Sequence, residues 1–188
     1  MGTRATYSFE HRYLDKLVTM YVHWDNYPKG AAVYFWNMHL GMNKYKGHFA
    51  EVFIKANGGT VEFSEGHDHH WDTEYQYHLD KHGILTAKEI SLDKSRETTI
   101  IFEGHYAEFI NLYHEYLKEV CENFEKLLLI SKTADPYRRK PYMTLSEVKE
   151  HISGLHFHVL SGHKHDKEIL QNWEEEFKRL HKLVVSQQ

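Results

Sequence analysis

The sequence predicts an α+β protein: an antiparallel sheet of five or six strands, helices on one face of it, and a C-terminal helical layer. Three patterns carry this expectation. Apolar and polar residues alternate with a period of two through Thr3–Glu10, Leu17–Trp24 and Thr73–Ile90. The period then lengthens to three and four from Tyr106 onward and again through Leu170–Val184. Short polar or glycine-containing stretches separate these segments.

In the first segment Thr3, Ala5, Tyr7 and Phe9 alternate with Arg4, Thr6, Ser8 and Glu10. In the second, Val18, Met20, Val22 and Trp24 alternate with Thr19, Tyr21 and His23. The polar run His11–Lys16 between them suits a hairpin connection. Pairing Glu10 with Leu17 sets Arg4 opposite His23 and Gly2 opposite Asp25.

Pro28 then opens a helix through Lys29–Leu40 that Gly41 ends, and a second helix runs from about Tyr45 to Asn57 and stops at Gly58-Gly59. Thr60–Phe63 adds a brief strand. Thr73–Leu79, Ile84–Ile90 and Thr98–Phe102 form a meander, the last of these reading as a more deeply buried strand. Phe109, Tyr113, Leu117, Val120, Phe124 and Leu127 mark one long amphipathic helix, flanked by Cys121 and Leu128. Thr144 and Glu147 form a capping box for a short helix closed by Gly154, and Leu170, Trp173, Phe177, Leu180 and Val184 line a terminal helix. One domain over residues 1–188 is expected, sheet-rich over 1–104 and mostly helical over 105–188.

Composition narrows the function classes. A formal charge of −4 and a pI near 6.5 give no global pull toward nucleic acid. The only basic stretch, Arg138-Arg139-Lys140 between Tyr137 and Tyr142, reads as a solvated linker. No apolar run reaches the ~20 residues of a membrane span. The single cysteine, Cys121, excludes an internal disulfide and fits a reducing cytoplasm. No Walker loop, GxGxxG or GxSxG pattern is present, and Cys121 sits in an apolar helical stripe, so no catalytic residue is assigned.

Two clusters could carry chemistry. Arg4 can clamp an anion, His23 can titrate and donate, Trp24 or Tyr27 offers a stacking wall, and Asp25 lies in the following turn. The second cluster draws on the 17 histidines of the chain: His67, Asp68, His69, His70 and Asp72 are donors suited to a divalent metal such as Zn, Mn or Ni. This run fails the HExxH spacing and the HxHxDH order. His163 and His165, after His156 and His158, form a further donor group that fails the same tests.

The opening MGTR-A-T, with a strand ending Tyr21-Val22-His23-Trp24-Asp25-Asn26-Tyr27-Pro28, resembles a group of short phage and bacterial proteins that open MGTR and carry HWDGY or HWDGYP. Asn26 stands where that group has glycine. Glu74–Leu79 is similar to its EYxYxL-type strand. The resemblance implies a shared fold core and a phage or prophage setting, which would place the protein in a host cytoplasm, and it implies no catalytic residue.

Three functional readings follow. The first is an accessory binding or regulatory protein, of the counter-defence kind, that engages a host protein or a small anionic, nucleotide-like ligand through Arg4, His23, Trp24, Asp25 and Tyr27. The second is a metal-dependent hydrolase of a phosphodiester or nucleotide built on His67–Asp72. The third is a scaffold that self-associates through its C-terminal helices.

Overall fold

The computed structural model describes residues 2–11, 16–93, 95–121, 124, 129–130, 142–143, 147, 149–150, 152–155 and 166–185. The chain forms two compact units, Met1–Glu122 and Asn123–Gln188. The fold class is α+β, with a six-stranded sheet that is mostly antiparallel.

The first unit opens with β1 (Ala5–Glu10) and β2 (Leu17–Val22). They pair antiparallel from Glu10↔Leu17 to Ala5↔Val22, the register that alternation predicts. Helices α1 (Pro28–Lys44) and α2 (Phe49–Ala56) lead to β3 (Val61–Ser64). After a 3-10 turn at His67–His69 come β4 (Tyr75–Leu79), β5 (Ile84–Ile90) and β6 (Thr98–His105). Helices α3 (Tyr106–Leu112) and α4 (His114–Val120) complete the unit.

Strand order is β3-β2-β1-β4-β5-β6. One pair departs from the antiparallel pattern: β1 and β4 are parallel, with Tyr7 beside Tyr77. The reason is topological. Because β3 pairs antiparallel with β2, it runs in the same direction as β1. Residues 65–74 must therefore cross two strands to deliver β4 on the far side of β1, and that crossover determines the candidate site.

The core lies on one face of the sheet, where Ala5, Tyr7, Phe9, Met20, Val22, Tyr77, Leu79, Leu85 and Ala87 are buried. Tyr7 stacks on Tyr77 at 4.9 Å and meets Phe53 of α2 at 5.0 Å, while Phe35 of α1 packs on Phe109 of α3 at 5.9 Å. Such ring pairs add about 0.5–1.5 kcal/mol each beyond their area.

Several element boundaries differ from the sequence expectation. Gly41 does not end α1; it lies inside the helix, where a Cβ would sit 2.9 Å from Val52 Cγ1, so its role is the close approach of α1 and α2. α2 starts only at Phe49, because His48 and Glu51 form the capping box there. β6 is an edge strand rather than a more deeply buried one, with Ile100 56% exposed. The expected long helix is broken at Tyr113: the Asn111 carbonyl engages His114 Nδ1 at 3.0 Å, and Cys121 beyond α4 is extended. Leu127 and Leu128 lie outside the described residues.

The second unit contains β7 (Leu129–Ile130) paired antiparallel with β8 (Tyr142–Met143), and α5 (Asp166–Val185). Its core is the fully buried Trp173, packed by Ile152, Leu155, Ile169 and Phe177. Arg138-Arg139-Lys140, Thr144 and the His156–His165 donor group lie outside the described residues. No described helix is long and apolar enough to cross a membrane.

Candidate functional site

The face of the sheet opposite the core is polar. Arg4, the residue before β1, and Thr6, Ser8 and Glu10 of β1 alternate away from Ala5, Tyr7 and Phe9, and Tyr21 and Glu62 stand in the same row as Thr6. The crossover of residues 65–74 runs over this face. The histidine-rich segment and the Arg4–His23 end of the hairpin, far apart in sequence, therefore form a single patch.

The crossover is anchored by His67. Its Nδ1 lies 2.6 Å from Thr6 Oγ1 and its Nε2 lies 2.8 Å from Ser8 Oγ. Ser8 Oγ also lies 2.7 Å from His78 Nδ1, and His78 Nε2 is 3.6 Å from Glu10 Oε1. Ser8 has a single proton, so it donates to one imidazole and accepts from the other. Burial, reinforced by the nearby His78 and Lys88, lowers the His67 pKa to about 4 against an opposing pull from Asp68. Ser8 is itself fully buried, and its contact with His67 pins the turn.

Arg4 occupies the exposed end of the patch. Its Nη1 is 2.9 Å from Asp72 Oδ2, with 43% of the arginine side chain still exposed. Tyr21 donates its hydroxyl to Asp72 Oδ1 at 3.3 Å. Its ring stacks on His70 at 3.8 Å and meets His23 edge-on at 4.7 Å. His23 Nε2 faces Glu62 Oε1 at 3.4 Å. Burial and the Asp72 carboxylate push the Tyr21 pKa up to about 12 although Arg4 opposes, so the phenol remains a donor. The His70 pKa is lowered, first by burial and then by His69, and its Nε2 is buried with no hydrogen-bond partner among the described residues.

Of the residues expected at the ligand site, Arg4 and His23 are held here. Trp24 is 65% exposed, with its ring so close to Gly2 that a Cβ there would lie 2.1 Å from Trp24 Cε3. Asp25 is exposed, has a positive φ of 55° and does not pair with Arg4. Tyr27 lies elsewhere, its hydroxyl 3.4 Å from that of Tyr116 and Lys29 Nζ 5.4 Å from its ring.

The donors expected to hold a metal diverge. His67 turns to Thr6 and Ser8, His69 to Glu65 at 3.7 Å, His70 to Tyr21 and Asp72 to Arg4, while Asp68 is exposed. Among the described residues no group of three or more donors could hold a metal ion.

Sequence reasoning missed Tyr21, Thr6 and Ser8, whose place on the polar face was visible in the alternation, and also Asn26. The side chain of Asn26 is buried: Oδ1 accepts from Tyr7 at 2.8 Å, and Nδ2 donates to the carbonyls of Thr3, Val22 and Trp24. Its backbone carbonyl accepts from Tyr77 at 2.8 Å. Asn26 thereby ties the end of β2 to the chain entering β1, next to Arg4.

A separate cavity of about 430 Å³ is lined by residues that include Glu74, Tyr75, Glu89 and Glu97. Its carboxylates disfavour anions. Compared with protein-family models, curated proteins and solved structures, the chain matches none.

Proposed function

We propose that this protein is a binding module for a small anionic, nucleotide-like ligand, held on the polar face of the sheet with Arg4 as the anion clamp. The observation that carries this reading is the juxtaposition of a half-exposed Arg4, just before β1, with Tyr21 of β2, His23 just after it and His70 of the crossover. Guanidinium, imidazole and phenol are donors suited to phosphate or carboxylate oxygens. Trp24, on Gly2 two residues from Arg4, supplies an exposed aromatic surface for a base. In this reading a nucleoside monophosphate stacks its base on Trp24 while its phosphate meets Arg4.

The resemblance of the MGTR opening and the Tyr21–Pro28 stretch to phage and bacterial proteins supports an accessory role inside a host cell. The test is calorimetric titration with adenosine 5′-monophosphate. Binding that falls at least about tenfold in Arg4→Ala, and also falls in Trp24→Ala, is the expected result. Equal binding by wild type and Arg4→Ala would refute the assignment.

A further inference from the structure

Resting on that reading, we propose that Asp72 is a competitor built into the site, its carboxylate occupying Arg4 in the free protein, so that a phosphate ligand binds by displacing it. The geometry is that of a strap. One end is fixed by His67 on Thr6 and Ser8, and the other by the amides of Glu74 and Tyr75, which donate to the Arg4 carbonyl at 3.0 and 3.3 Å. Between these anchors, Asp68, His69 and Trp71 are exposed, Trp71 by 84%. The middle is attached to the sheet by the Arg4–Asp72 ion pair, the Tyr21–Asp72 hydrogen bond and the Tyr21–His70 stack.

An anion that engages Arg4 Nη1 and the Tyr21 hydroxyl takes those donors from Asp72. Because Asp72 is tethered beside Arg4, it competes at high effective concentration with any incoming anion. A phosphate monoester carries nearly two charges above pH 7 and three acceptor oxygens. It can satisfy Arg4 and Tyr21 together and keep an oxygen for His23. Exposed ion pairs of this kind hold their partner by a factor of roughly five, which is the gain expected when Asp72 loses its charge.

The test titrates wild type and Asp72→Asn with adenosine 5′-monophosphate at pH 8. Asp72→Asn is expected to bind it roughly fivefold more tightly. Hydrogen exchange supplies a readout independent of the variant: the monophosphate should speed amide exchange across residues 69–72 while leaving β4 unchanged. Weaker or unchanged binding in Asp72→Asn, or slower exchange across the strap, would overturn the competitor role. If Arg4-dependent binding persists in those cases, the binding site stands and only the competitor fails. If neither protein binds the monophosphate, both fall.

Discussion

Replacing Asn26 with alanine removes one buried acceptor and the two donors of a side-chain amide. Tyr7 then loses the partner of a hydroxyl that burial keeps protonated, because desolvation raises its pKa well above the ordinary value. An orphaned buried hydroxyl costs about 1–3 kcal/mol, and the amide bonds to Thr3, Val22 and Trp24 contribute about 1 kcal/mol each at most, since they share two donor hydrogens. The expected loss is about 3–4 kcal/mol. Urea denaturation followed by far-ultraviolet circular dichroism measures it, and a double-mutant cycle isolates its origin. In a Tyr7→Phe background the Asn26→Ala loss should shrink by about 1–2 kcal/mol, because no hydroxyl remains to be stranded. A loss below about 1 kcal/mol, or strict additivity of the two substitutions, would refute the reasoning.

Gly30→Ala should cost more than about 3 kcal/mol, because its Cβ would lie 1.8 Å from the Asp25 carbonyl oxygen and backbone must move; a thermal melt measures the loss. Stability should also fall with acid. His67 and His105 have folded pKa values of about 4, so the unfolded chain, titrating near the ordinary 6.5, binds the proton first. Stability is therefore full above pH 6.5, declines as pH falls toward 4 and levels off below. With solvent screening at these incompletely buried rings allowed for, each contributes about 1–2 kcal/mol. Urea midpoints measured from pH 7 to pH 4 should show the decline, and His67→Gln should flatten part of it.

The hairpin register was legible because burial of one face leaves a period-two pattern only one acceptable alignment: a slip by one residue would put Tyr7 and Phe9 in water. Both halves of the candidate site were legible as chemistry, Arg4 with His23 and the His67–Asp72 run. Their union was not, because it depends on a crossover over β2 and β1 that leaves no local periodicity. In the turn after β2 the positive φ falls on Asp25, while Asn26 is held by its buried amide, a role that alternation does not reveal. β6 read as buried because Thr98–Phe102 is apolar in part, whereas edge position is a property of the whole sheet. The break at Tyr113 interrupts an intact three-four pattern, which a hydrogen bond from one side chain to the backbone suffices to do.

The central claim is that Arg4 receives an anion on the polar face. Nitrogen-15 NMR of the Arg4 side chain, observed while adenosine 5′-monophosphate is added, tests it most directly. The expected result is a saturable shift of the Arg4 Nε–Hε resonance, with accompanying shifts at Tyr21, His23 and His70. Saturable shifts confined to the Glu74–Glu89–Glu97 cavity, with the Arg4 resonance unmoved, would contradict it.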